Sequence, residues 1–171
     1  MQRITTQSQI LNLNWRSAIA DFVLAGMVVG PLFAPFLSAS MLPLLPGIAA
    51  IIYTMGMHVC PQPEMGLALV PPLTMAVCMR CYGTVLGLLI TRLLYAKSAG
   101  IGFYWLTQYG LLGAMLTSLL MIAYPAELAA QVVGFWNFNN YVVTLFGLIT
   151  GVGIGLFFWP ILHNQAKILT D

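Results

Sequence analysis

The sequence predicts an all-α fold, a polytopic transmembrane bundle of four or five helices, and three observations carry that reading. Apolar residues make up 60% of the 171 and charged residues only 6%, whereas a water-solvated domain carries about 25% charged residues. Four stretches are long enough to cross the hydrocarbon layer, which takes about 20 apolar residues at a rise of about 1.5 Å each. The segments between them are short, and no linker divides the chain. Disorder is excluded because it needs a polar, highly charged chain. A net charge of +2 without a basic run excludes nucleic acid and leaves the lipid bilayer as the first expected partner.

Taken in order, residues 1–16 form a polar N-terminal segment holding Arg3 and Arg16, residues 17–162 the transmembrane bundle, and residues 163–171 a polar tail. The first span, 17–38, contains Pro31 and Pro35. Proline inside a helix removes an amide donor and clashes with the preceding turn, so a kink or early exit is expected. A signal peptide cleaved near Ser38-Ala39-Ser40 is the weaker reading of this region, since the apolar run has spanning length. Residues 41–57 are apolar but short, and Pro43 and Pro46 lie at their start; they read as a fifth helix, tilted or only partly spanning. The remaining spans are 75–95, 103–124 and 141–162. Gly147, Gly151 and Gly155 recur at four-residue spacing, as do Gly83 and Gly87, a pattern that lets helix backbones approach closely in lipid. Phe103-Tyr104-Trp105 and Phe135-Trp136 are expected to anchor at headgroup depth.

Orientation follows from the few positive charges, which favour the cytoplasmic side. Arg92 and Lys97 at the end of the 75–95 span, and Lys167 in the tail, are two crossings apart and share a side. The loop of residues 58–74 then faces the opposite compartment. Four crossings put Arg3 and Arg16 on the cytoplasmic side as well, whereas five put them outside.

All three cysteines fall in one short region, His58-Val59-Cys60-Pro61-Gln62-Pro63 followed by Cys78-Met79-Arg80-Cys81-Tyr82-Gly83. Cys78 and Cys81, one helical turn apart at a helix start, can face one point, either to form a disulfide or to bind a metal. A helix N-terminus and Arg80 both favour thiolate. With Cys60 and His58 the set becomes three sulfurs and an imidazole, the ligands of a tetrahedral zinc site; zinc or another transition metal ranks ahead of an iron–sulfur cluster. The competing chemistry is thiol–disulfide exchange, with Cys78 and Cys81 as the redox pair and Cys60 as the shuttle thiol. The plainest alternative is a structural staple of the Pro-rich loop.

Arg80 is expected to snorkel to the headgroups, and Asp21 to sit at the interface rather than deep in lipid. His163 reads as solvated, and Glu64 and Glu127 as loop residues. No serine nucleophile with a base, phosphate-binding glycine loop or carboxylate pair can be assembled.

Gly30-Pro31-Leu32-Phe33-Ala34-Pro35, Ile52-Tyr53, the His58-to-Pro63 motif and the Cys78-to-Gly83 motif together resemble the bacterial membrane proteins grouped as domain of unknown function 2085. The resemblance spans about residues 24–95. In that family the first motif is Cys-His-Gln followed by Arg-Ser; here Pro61 replaces the histidine and Met65-Gly66 the Arg-Ser pair. His58 is then the one candidate replacement ligand, with Gln62 and Arg80 supporting the site. The resemblance implies a bacterial inner or internal membrane and no established activity. The leading expectation is therefore an extracytoplasmic Cys/His site, binding a metal or forming a disulfide, auxiliary to the assembly or maintenance of a larger membrane complex. A quinone-coupled thiol–disulfide oxidoreductase and a purely structural subunit are the alternatives.

Overall fold

The computed structural model describes residues 15–98, 101–135 and 137–163. Most of the polar N-terminal segment and all but His163 of the tail, with Arg3 and Lys167, lie outside them, as does Trp136. Five helices are present among the described residues: α1 (Trp15–Ser38), α2 (Leu45–Val59), α3 (Met79–Ser98), α4 (Leu111–Val132) and α5 (Asn140–His163). Between α2 and α3 lie a 3-10 turn at Pro63–Met65 and a two-stranded antiparallel hairpin, β1 (Ala68–Val70) with β2 (Leu73–Thr74). Three helices, α1, α4 and α5, are long and apolar enough to cross a membrane. At 20 residues α3 has comparable length, but it carries Arg80, Arg92 and Lys97.

Contacts between the helices fix the relative direction of α1, α3 and α5. Asp21 on α1 binds Arg92 on α3, and Tyr82 on α3 donates to the Val28 carbonyl, so α1 and α3 run antiparallel. The chain leaves α1 and enters α3 at the same end of the bundle, with short α2 between them. Thr150 on α5 donates to the Leu120 carbonyl on α4, while Gly83, Gly87, Gly147, Gly151 and Gly155 bring α3 and α5 together in parallel register. The result is four long helices with α2 and the hairpin laid against one end.

The glycine pattern has its physical meaning in the α3–α5 contact. A Cβ on Gly151 would collide with the backbone of Thr84, and one on Gly87 with the backbone of Leu148 and Val152. Backbone cannot move aside as a flexible side chain can, so both positions require hydrogen. Gly151→Leu is expected to lower stability by about 1–3 kcal/mol or more through overpacking. Gly26→Ala on α1, where a Cβ meets nothing within 4 Å, should be neutral or stabilise by about 0.5–1 kcal/mol. Unfolding midpoints of the two variants in detergent check the contrast.

Three expected boundaries are corrected. Helix α3 begins at Met79 rather than 75, because residues 75–78 are buried loop whose amides are used elsewhere: Met75 N–H donates to the Leu67 carbonyl at 2.9 Å. Helix α4 is shifted from 103–124 to Leu111–Val132; a 3-10 turn at Leu106–Tyr109 ends on Gly110, at φ +53°. That helix also continues through Pro125, where a sequence reading stops it. Pro31 and Pro35 likewise lie within α1, which runs on to Ser38. Trp105 is buried against Tyr95, with ring centroids 5.2 Å apart, and is no headgroup anchor.

Candidate metal centre

The end of α2 and the start of α3 bring the three cysteines together. Pro61 disfavours helical backbone at Cys60, which is extended at φ −101°, ψ 126° and caps α2 through its N–H to the Gly56 carbonyl. Cys78 precedes α3 and accepts its first hydrogen bond, from the Tyr82 N–H at 3.0 Å; Cys81 lies one turn further on. The hairpin folds the loop back between them: Tyr53 donates to the Thr74 carbonyl at 2.6 Å, and Gly56 lies so close to the Ala76 carbonyl that a Cβ would collide.

The resulting triangle has sulfur separations of 3.2 Å (Cys60–Cys78), 3.5 Å (Cys60–Cys81) and 3.6 Å (Cys78–Cys81). These are far beyond a disulfide bond of about 2.05 Å, and all three cysteines are free. Four ligands at a Zn–S distance of about 2.3 Å put sulfurs about 3.8 Å apart in a tetrahedron, so an ion fits above the triangle after shifts of a few tenths of an ångström. Cys78 is wholly buried and Cys60 nearly so, against Met75, Val77 and Tyr82. The S–H groups of Cys78 and then Cys81 hold the Cys60 thiol well below its ordinary range, helped by the Cys78 and Gln62 amides and opposed by burial. The Cys78 thiol is pushed up, first because it donates to Cys60. Cys60 is thus the first sulfur to carry charge.

Arg80 does not snorkel. It is fully buried, because α3 packs against α1 and α5 and Arg80 points to α4: Nε donates to Glu127, Nη2 to Gln131 Oε1 at 2.6 Å, and Nη1 to Gln62 Oε1 at 3.2 Å. Its guanidinium lies 5.6 Å from the Tyr124 ring centre, and the Tyr124 hydroxyl is 3.3 Å from Cys81 Sγ. Glu127, read from sequence as a loop residue, is 1% exposed within α4. Ending that span at Pro125 hid the helical spacing of Tyr124, Glu127 and Gln131, the one signal that could have found them.

The sequence-derived site is thus assembled in part. Cys60, Cys78 and Cys81 form the cluster able to hold a metal among the described residues, and Gln62 and Arg80 support it. His58 is exposed, with Nδ1 donating to the Thr54 carbonyl at 2.7 Å, and the structure does not bring it into the triangle. At the other end of the bundle Arg92 binds Asp21 through two hydrogen bonds of 2.5 and 2.6 Å, with His163 Nε2 3.8 Å from the same carboxylate. Asp21, expected at the interface, is ion-paired and its side chain is 40% exposed, and the His163 side chain is mostly buried rather than solvated.

The family model described as predicted membrane protein (DUF2085) matches residues 69–157, more than half of the chain. The chain belongs to DUF2085. The DUF2085 match takes in Cys78, Arg80, Cys81, Tyr124, Glu127 and Gln131 and begins past His58, Cys60 and Gln62, later than the 24–95 range of the motif resemblance. No curated protein and no solved structure matches.

Proposed function

We propose that the protein is a membrane metalloprotein in which Cys60, Cys78 and Cys81 hold one divalent thiophilic ion, zinc foremost. The carrying observation is the mutual approach of three sulfurs within 3.6 Å: a disulfide uses two sulfurs, whereas a metal centre uses all three. Thiol–disulfide exchange ranks behind it because the attacking thiol must meet its partner sulfur in line, and Cys78 is 0% exposed. His58 would join as fourth ligand only by leaving Thr54; otherwise that position takes water or a partner's ligand. The role we infer is auxiliary, retaining a metal for the assembly or maintenance of a larger membrane complex in a bacterial inner or internal membrane.

Orientation is part of the proposal. Lys97 ends α3 beside the start of α1, with Arg92 one turn earlier, and in sequence Arg3 and Arg16 lie at or before that start while Lys167 follows α5. Four crossings then put five of the six positive residues on one side, cytoplasmic by the charge bias; the sixth, Arg80, is neutralised by Glu127. The metal centre lies at the opposite end. A reporter fused after α5 is expected to read cytoplasmic and one inserted beside Glu64 extracytoplasmic; both on one side would contradict this.

Cobalt(II) titration of reduced protein in detergent tests the site. One equivalent should develop sulfur-to-cobalt charge-transfer absorption and tetrahedral d–d bands, then be displaced by zinc. Absence of both bands would end the metal reading.

A further inference from the structure

The three acceptors around Arg80 are not equivalent. Glu127 is a carboxylate, whereas Gln62 and Gln131 present neutral amide oxygens; Glu127 Oε2 accepts from Arg80, and among the described residues its buried Oε1 has no hydrogen-bond partner. Among the described residues, Glu127 therefore depends on Arg80 alone. Resting on the metal reading above, three thiolates with a divalent ion make a centre of net charge −1. Arg80 is the cation beside that centre: it sits between Cys78 and Cys81 in the chain, under the Tyr124 ring whose hydroxyl meets Cys81. Two buried anions then share one cation, in surroundings where charges interact far more strongly than in water.

We propose that the number of carboxylates on Arg80 sets how tightly the sulfur centre holds its ion, and that Glu127 limits that affinity. Gln62 and Gln131, being amides, satisfy the guanidinium without drawing on its charge. A purely structural Glu127 would act in the opposite sense, since removing it would only loosen the site.

Two near-isosteric substitutions separate these roles in the full-length protein in detergent, with zinc ion competed against a chelator of known affinity. Glu127→Gln keeps an oxygen for Arg80 but removes the charge, and zinc should bind roughly tenfold tighter. Gln131→Glu adds a charge at the 2.6 Å contact, and zinc should bind roughly tenfold weaker. The metal-free Glu127→Gln protein should also unfold at lower temperature than wild type and recover on adding zinc. If either variant fails to fold, the sign of the other decides. Both variants weaker than wild type, or neither changed, overturns the proposal while leaving the metal centre standing; wild type that binds no zinc overturns the metal centre itself.

Discussion

Arg80→Met is expected to lower the unfolding free energy by about 3–5 kcal/mol, because it strands the Glu127 carboxylate in the bundle without a cation. Gln62 and Gln131 lose their donor in the same step, detaching the Cys60 loop from α3 and α4. The double variant Arg80→Met/Glu127→Met removes both charges and should regain most of the loss, since a buried ion pair replaced by apolar groups of similar size is often neutral or better. Arg80→Lys should recover little, as a point-like ammonium cannot serve three acceptors in a fixed fork. Unfolding of the four proteins in one detergent checks the series; an Arg80→Met protein as stable as wild type would mean the pair carries no stability.

The second large effect lies at the sulfurs. Structural zinc sites bind with about 10–16 kcal/mol, so each of four ligands accounts for about 3 kcal/mol, or roughly a hundredfold in affinity. Cys60→Ser, Cys78→Ser and Cys81→Ser should each cost about that much. Cys78→Ser should cost most, because Cys78 stands at the start of α3 and its amide also donates to Cys60 Sγ at 3.3 Å. His58→Ala should change affinity less than tenfold if the ring remains on Thr54. Zinc competition assays on the four variants give the ranking, and equal losses at His58 and the cysteines would make His58 a ligand of equal weight.

Much of this was legible in the sequence, for reasons that separate it from what was not. Charge scarcity and 20-residue apolar runs are direct consequences of lipid as solvent, so the helical bundle and the glycine-lined contact could be read without coordinates. The cysteines were legible because three thiols in so apolar a chain share one loop and one helix start. Helix ends were not: residues 75–78 and 103–110 continue the apolar runs, and only the bond at Met75, which makes 75–78 buried loop, and the 3-10 turn ending on Gly110 show that neither stretch belongs to a long helix. Arg80 and Glu127 are 47 positions apart, and no local pattern links them. The antiparallel run of α1 and α3 also needed tertiary contact, because it rests on Asp21 meeting Arg92.

The central claim is that Cys60, Cys78 and Cys81 share a metal ion, and metal content with free-thiol count on one detergent-purified sample tests it most directly. About one equivalent of zinc or another thiophilic ion per chain is expected, with the three thiols unreactive until a chelator removes it and less metal retained by the Cys78→Ser protein. A metal-free protein in which two of the three cysteines are joined as a disulfide would contradict it.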